Sequence, residues 1–95
     1  MIKMYTIFVR DISPKTSKPV LTIEPVVGFF PVERKDDFDP DLSYAGYEGF
    51  YNIPDVGVVS AEDDPNWLTY TDNPKATWVM ELAKRYVKAG LYPRK

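Results

Sequence analysis

Four carboxylates in the middle of the chain stand at a spacing that suits a metal ion. Asp37, Asp39 and Asp41 alternate along the sequence, and Glu48 follows Asp37 by eleven positions. Hard oxygen ligands surround Ca²⁺ at this spacing in the loop between two helices. Here Leu42 occupies the place where glycine permits the sharp turn, and Pro40 lies inside the loop. Gly28 and Pro31 also break up the segment that would have to form the preceding helix. The expectation is therefore a turn that binds no metal. Asp39 caps it, Pro40 starts it and Gly46 ends it.

Other chemistry is scarcer. Glu24 lies in an apolar strand context and Glu48 lies between Tyr47 and Gly49, a carboxylate pair for acid–base work if the fold joins them. The simpler reading leaves both on the outward sides of strands. With no histidine and no cysteine, serine–histidine and cysteine–histidine catalysis, zinc–thiolate sites and disulfides are excluded. The five glycines are scattered, so no glycine-rich phosphate loop is present. These absences predict a protein that is not an enzyme and uses no cofactor.

What remains is recognition. Between Glu33 and Asp72 eleven acidic residues face only Arg34 and Lys35, a net of −9. From Asn73 onward six basic residues face only Glu81, a net of +5. The basic end complements the dipole of a C-terminal helix, but the acidic middle has no such local reason. It also holds Tyr44, Tyr47, Phe50 and Tyr51 among Gly46 and Gly49. Tyrosine with glycine suits a contact surface; the alternative is a strand with Tyr47 and Tyr51 on one face and Phe50 on the other. Trp67 and Trp78 read as core or rim anchors.

These features nominate Asp36, Asp37, Asp39, Asp41, Tyr44, Tyr47, Glu48, Tyr51, Glu62, Asp63 and Asp64 as a protein-binding set. The partner would be a protein with a basic surface, including one that itself binds nucleic acid. Small intracellular inhibitors of the kind that viruses and mobile elements carry have this character. A second reading has the chain bind nucleic acid directly through Lys84, Arg85, Lys88, Arg94 and Lys95. The adjoining −9 segment would repel that polymer, which ranks it lower. A small carboxylate-dependent enzyme ranks last, and association between copies stays open.

The elements that must position these residues can be read from pattern. The chain has 95 residues, 44% hydrophobic and 15% aromatic, enough for one domain with a single small core. Tyr5 to Val9 is β-branched or aromatic, as a strand requires. Ser13 to Pro19 is a polar loop, and Val20 to Phe30 resumes the strand, interrupted by Pro25, which implies an edge, a bulge or a break. The first two strands are expected to pair as an antiparallel hairpin. Tyr47 to Ile53 and Val56 to Ser60 read as short strands joined by Pro54-Asp55.

Asp39-Pro40, Asp64-Pro65 and Asn73-Pro74 each suit a cap followed by proline at the first helical position. The first two are expected to open single turns. The third is expected to open a helix from Pro74 to about Ala89, ended by Gly90. Val79, Leu82, Ala83, Tyr86 and Val87 share one side of it, with Leu82 as a core residue, and Thr77, Glu81, Lys84 and Lys88 line the other. The predicted fold is α+β: a small, mainly antiparallel sheet of three to five short strands, packed by one C-terminal amphipathic helix across a single domain of residues 1–95. No apolar run reaches the roughly 20 residues of a membrane span, and none follows Met1 that would serve as a signal peptide. The expected setting is cytoplasmic.

Overall fold

A run without polar alternation, Thr6-Ile7-Phe8-Val9, must be covered on both faces, because successive strand residues point to opposite sides. In the computed structural model, which describes residues 3–93, all four are fully buried. They belong to β1 (Tyr5–Ile12), the middle strand of an antiparallel sheet flanked by β2 (Pro19–Pro25) and β6 (Trp67–Thr71). A second antiparallel sheet holds β3 (Gly28–Lys35), β4 (Ser43–Ile53) and β5 (Gly57–Ser60), in that order. The helix α1 (Thr77–Lys88) follows. The class is α+β with a C-terminal helix, as expected. Among the described residues the strands number six and divide between two sheets, where sequence pattern suggested one.

Ile7 and Val9 face α1 and pack with Leu68, Val79 and Ala83. Phe8 faces the other way, onto Tyr51 and Ala61, with its ring centroid 5.1 Å from that of Tyr51. The layers therefore run helix, first sheet, second sheet. Four of the five largest fully buried side chains lie in β1. At about 1.5–3 kcal/mol for each large apolar side chain, this strand anchors both halves of the core.

Local chemistry explains the joints. β1 and β2 form the expected hairpin across the proline-bounded loop, from Tyr5 opposite Pro25 to Ile12 opposite Pro19. Pro25 ends β2 and marks where the chain leaves the first sheet, so the stretch Val20–Phe30 becomes two strands in different sheets. Between β4 and β5 the Val56 N–H donates to the Ile53 carbonyl at 3.0 Å. Pro54 sets the first turn dihedral, and Asp55 takes the second with φ 68°. β4 begins at Ser43, four residues before the start expected from sequence.

The helix begins later than expected. Asn73-Pro74 opens a turn closed by the Ala76 N–H on the Asn73 carbonyl at 3.0 Å, and regular helix starts at Thr77 without a side-chain cap. Tertiary packing sets this start, because the first helical turn seats Val79 in the core. Val79 and Ala83 are fully buried four residues apart, while Leu82 and Tyr86 flank this contact line and are only half-buried. At the other end the prediction holds. Gly90 takes φ 77°, its N–H donates to the Val87 carbonyl, and the Leu91 N–H donates to the Tyr86 carbonyl, both at 3.0 Å. That is a Schellman closure, which satisfies two terminal carbonyls. No helix among the described residues is long and apolar enough to cross a membrane.

Candidate protein-binding site

β3 and β4 form a long hairpin whose far half leaves the core. Near Gly49 and Tyr51 it is buried against the first sheet; beyond Gly46 both of its faces are open. Tyr44 is 55% exposed on one face and Tyr47 63% on the other. The chain measures 44 × 34 × 27 Å overall.

The loop at the end of this arm is held by its own aspartates. Asp36 Oδ1 accepts from the N–H groups of Phe38 and Asp39, at 2.8 and 3.0 Å. Asp39 Oδ1 accepts from the Asp41 N–H at 3.1 Å, around the Pro40 turn. The Asp36 N–H closes the loop on the Leu42 carbonyl at 3.0 Å. Aspartate favours such turns because its short side chain bonds the backbone two residues on. Asp39 and Pro40 thus act as expected, but Gly46 does not end the turn. Strand pairing has already begun at Ser43 opposite Lys35, which places Gly46 inside β4. Among the described residues no three candidate ligands converge as a metal site.

Gly46 and Gly49 serve the interior of the arm. A Cβ on Gly46 would clash with the Arg34 side chain, which crosses β4 at that point. Arg34 Nη2 then donates to the Tyr47 carbonyl at 2.8 Å and to both carboxylate oxygens of Glu62, at 2.8 and 3.0 Å. A Cβ on Gly49 would stand 2.6 Å from Cε1 of Tyr70. Tyr70 Oη accepts from the Gly49 N–H at 2.7 Å and donates to Glu62 Oε2 at 2.9 Å. The two bare positions let an arginine and a tyrosine lie against the strand and cap its backbone.

The electrostatics follow from these contacts. Hydrogen bonding to Glu62 raises the Arg34 pKa above its ordinary value. Burial, reinforced by Glu62, pushes the Tyr70 hydroxyl well above the usual phenol range, although the Gly49 N–H pulls the other way. Arg10 pairs with Asp64 at 2.5 Å and lies 4.6 Å from the Phe8 ring centroid. Burial works against its charge; the Asp64 contact outweighs that, and its pKa rises.

This geometry sorts the nominated residues. Asp36, Asp37, Asp39, Asp41 and Tyr44 gather at the far end of the arm, with Tyr47 on its flank. Asp63 is exposed in a short 3₁₀ turn, Ala61–Asp63, on the body. Tyr51 is withdrawn from the surface set: at 5% exposure it is a core residue against Phe8. It shares a face with Tyr47, as the strand reading proposed, but that face runs from beneath the first sheet out to solvent. Glu62 and Asp64 are corrected too, because Arg34 and Arg10 neutralise them internally. Glu48 accepts from the Ser60 hydroxyl at 3.2 Å, and Glu24 lies on β2 in the other sheet, so the two glutamates share no strand pair.

Once those pairs are removed, uncompensated negative charge concentrates at the arm's end. Among the described residues none of Asp36, Asp37, Asp39 and Asp41 has a basic partner. Sequence reading missed Phe38, which is 98% exposed between Asp37 and Asp39. Its signal was an aromatic ring inside an acidic run, where neither burial nor turn chemistry calls for one. It also missed Arg34 and Tyr70, whose roles depend on the meeting of the two sheets. At the opposite pole Lys84 pairs with Glu81 at 3.5 Å, Arg85 and Lys88 occupy the last helical turn, and Arg94 and Lys95 lie outside the described residues. No protein-family model, curated protein or solved structure matches the chain.

Proposed function

We propose that the chain is a non-enzymatic protein-binding module whose β3–β4 arm is the contact surface, and that its partner presents basic residues. The observation that carries this reading is Phe38, almost fully exposed among four aspartates on a loop ordered by its own side chains. An aromatic anchor within a charged rim is how protein interfaces concentrate their energy. Tyr44 and Tyr47 extend the apolar contact along the arm. An arm of this kind fits a cleft on a basic protein, including one that otherwise holds nucleic acid. On this reading the module is a small intracellular inhibitor, of a type that viruses and mobile elements use.

Affinity capture from lysate, with and without nuclease, provides the partner. Charges steer encounter and anchors slow dissociation, so two classes of variant should separate kinetically. Asp37→Lys with Asp41→Lys, which leaves the loop-holding carboxylates of Asp36 and Asp39 in place, is expected to lower the association rate and flatten its salt dependence. Phe38→Ala and Tyr47→Ala are expected to raise the dissociation rate. A captured protein that binds all these folded variants as tightly as the parent chain would move the interface off the arm. Capture that disappears with nuclease would favour nucleic-acid binding by the basic helix end instead.

A further inference from the structure

Antiparallel pairing uses the backbone groups of every second residue, and β4 outruns β5. β3 pairs with β4 from Ser43 to Phe50, whereas β5 pairs only from Phe50 to Ile53. The Gly49 N–H and the Tyr47 carbonyl turn away from β3, towards Tyr70 and Arg34. Alternation then sends the N–H and C=O of Ala45 and Ser43 to that same side. Among the described residues no strand lies there.

The other free edges are guarded. Pro31, opposite Tyr47 in the ladder, stands on the outward side of β3 and has no N–H to offer. β2 begins and ends in proline, and β5 has only four residues. On β6 the Trp67 carbonyl accepts from Tyr92 Oη at 2.5 Å. Proteins block exposed edges with proline, lysine, brevity or a cover. From Ser43 to Ala45, β4 has none of these, and at Tyr47 Arg34 takes the carbonyl and leaves the N–H.

We infer that this edge takes up an extended, basic segment of a partner protein as an added strand. The inference rests on the arm being the binding surface and specifies how it binds. Main-chain hydrogen bonds to Ala45 and Ser43 would supply the register, as in other strand-addition complexes. Tyr44 and Tyr47 stand on opposite faces of the edge, so side chains on both faces of the added strand meet a ring. The charge requirement follows from the neighbours: Asp39 and Asp41 lie at one end of the edge, and Glu48 lies just past the other. A second copy of this chain, paired edge to edge, brings no such segment, because Ser43–Tyr47 contains neither lysine nor arginine.

The test uses the whole chain and a blocked eight-residue peptide of alternating lysine and valine, titrated at low salt by NMR. Expected are shifts centred on the Ser43, Ala45 and Tyr47 amides, with slowed hydrogen exchange at Ala45. A control peptide N-methylated at every backbone nitrogen keeps the charge but offers no N–H to the edge, and should bind at least about tenfold more weakly. Ala45→Pro removes the outward donor without touching the β3 ladder, and should weaken the valine peptide by about tenfold or more. Ala45→Val, which keeps the backbone N–H and suits a strand, should bind the valine peptide as the parent chain does, and so separates loss of the donor from change of the side chain. The edge is refuted if the two peptides bind equally, if Ala45→Pro leaves binding intact in a folded protein, or if neither peptide binds. Equal binding of both peptides that is still lost on Asp37→Lys with Asp41→Lys would refute the edge and leave the arm standing. Binding indifferent to every substitution would remove both.

Discussion

Replacing Gly49 with alanine puts a methyl group 2.6 Å from Cε1 and 3.0 Å from Cζ of Tyr70, and 3.1 Å from Cε1 of Phe29. Tyr70 cannot retreat freely. Its ring packs edge-on against Phe29 at 5.1 Å and against Trp67 at 5.0 Å between centroids. Overfilling a packed site costs about 1–3 kcal/mol. Displacing Tyr70 also strands the buried Gly49 N–H, which adds about 1–3 kcal/mol. The sum, about 2–6 kcal/mol, is a large share of the roughly 5–14 kcal/mol expected for a chain of this length. In a domain of this size it corresponds to a fall in melting temperature of about 10–30 °C.

Gly28→Ala is the matched control. Its added methyl meets only Cε2 of Phe30, at 3.7 Å, an ordinary contact. It should shift stability by no more than about 0.5 kcal/mol. Thermal and urea denaturation of the two variants, followed by far-ultraviolet circular dichroism, make the comparison. Equal, small effects would show that Tyr70 is free to move and that its bonds to Gly49 and Glu62 do not hold the arm to the body.

Three further outcomes are expected. Val79→Ala should cost about 1.5–3 kcal/mol by denaturant titration, more than Leu82→Ala, while Lys84→Ala should stay within about 0.5 kcal/mol; a larger effect at Leu82 would shift the helix contact line. The raised Tyr70 pKa means that the folded state holds its phenol proton more tightly than the unfolded state. Its contribution is therefore fully present below the unfolded value near pH 10 and is lost as pH rises above it. Denaturation measured from pH 8 to 12 should show stability falling above about pH 10, with a shallower fall in Tyr70→Phe; an identical slope would remove Tyr70 as the cause. Calorimetric titration with Ca²⁺ should reveal no site tighter than about 1 mM, since Asp36 and Asp39 already accept backbone N–H groups; a micromolar site lost on Asp37→Ala would reverse this.

Local chemistry was legible before the structure; the meeting of distant segments was not. The proline-bounded β1–β2 hairpin, the Pro54-Asp55 turn and the Gly90 terminus each depend on residues within a few positions of one another. The strand character of Val20–Phe30, with Pro25 as an edge, a bulge or a break, could not say that the two halves join different sheets. Nothing local marks β6 as a strand, because Trp67–Thr71 is short and mixed in polarity and owes its place to pairing with β1. The acidic run pointed to the arm but counted Glu62 and Asp64 as surface charge, since Arg34 and Arg10 approach them only across the fold. Tyr51 misled for a related reason: a single strand face passes from core to solvent between Tyr51 and Tyr47, and no periodicity marks the crossing.

β1 is the first element of the described chain, yet it depends on the last. One face waits for β4 at Tyr51, the other for Val79 and Ala83, some seventy positions downstream. Closing contacts of such long range is slow, because chain entropy is lost before the contacts form. During synthesis from the N-terminal end, Ile7 and Val9 stay uncovered until α1 has been made. The β1–β2 hairpin, though local, would form early with a bare apolar face. Any truncation upstream of Val79 should therefore yield a sticky fragment with no smaller native unit to fall back on.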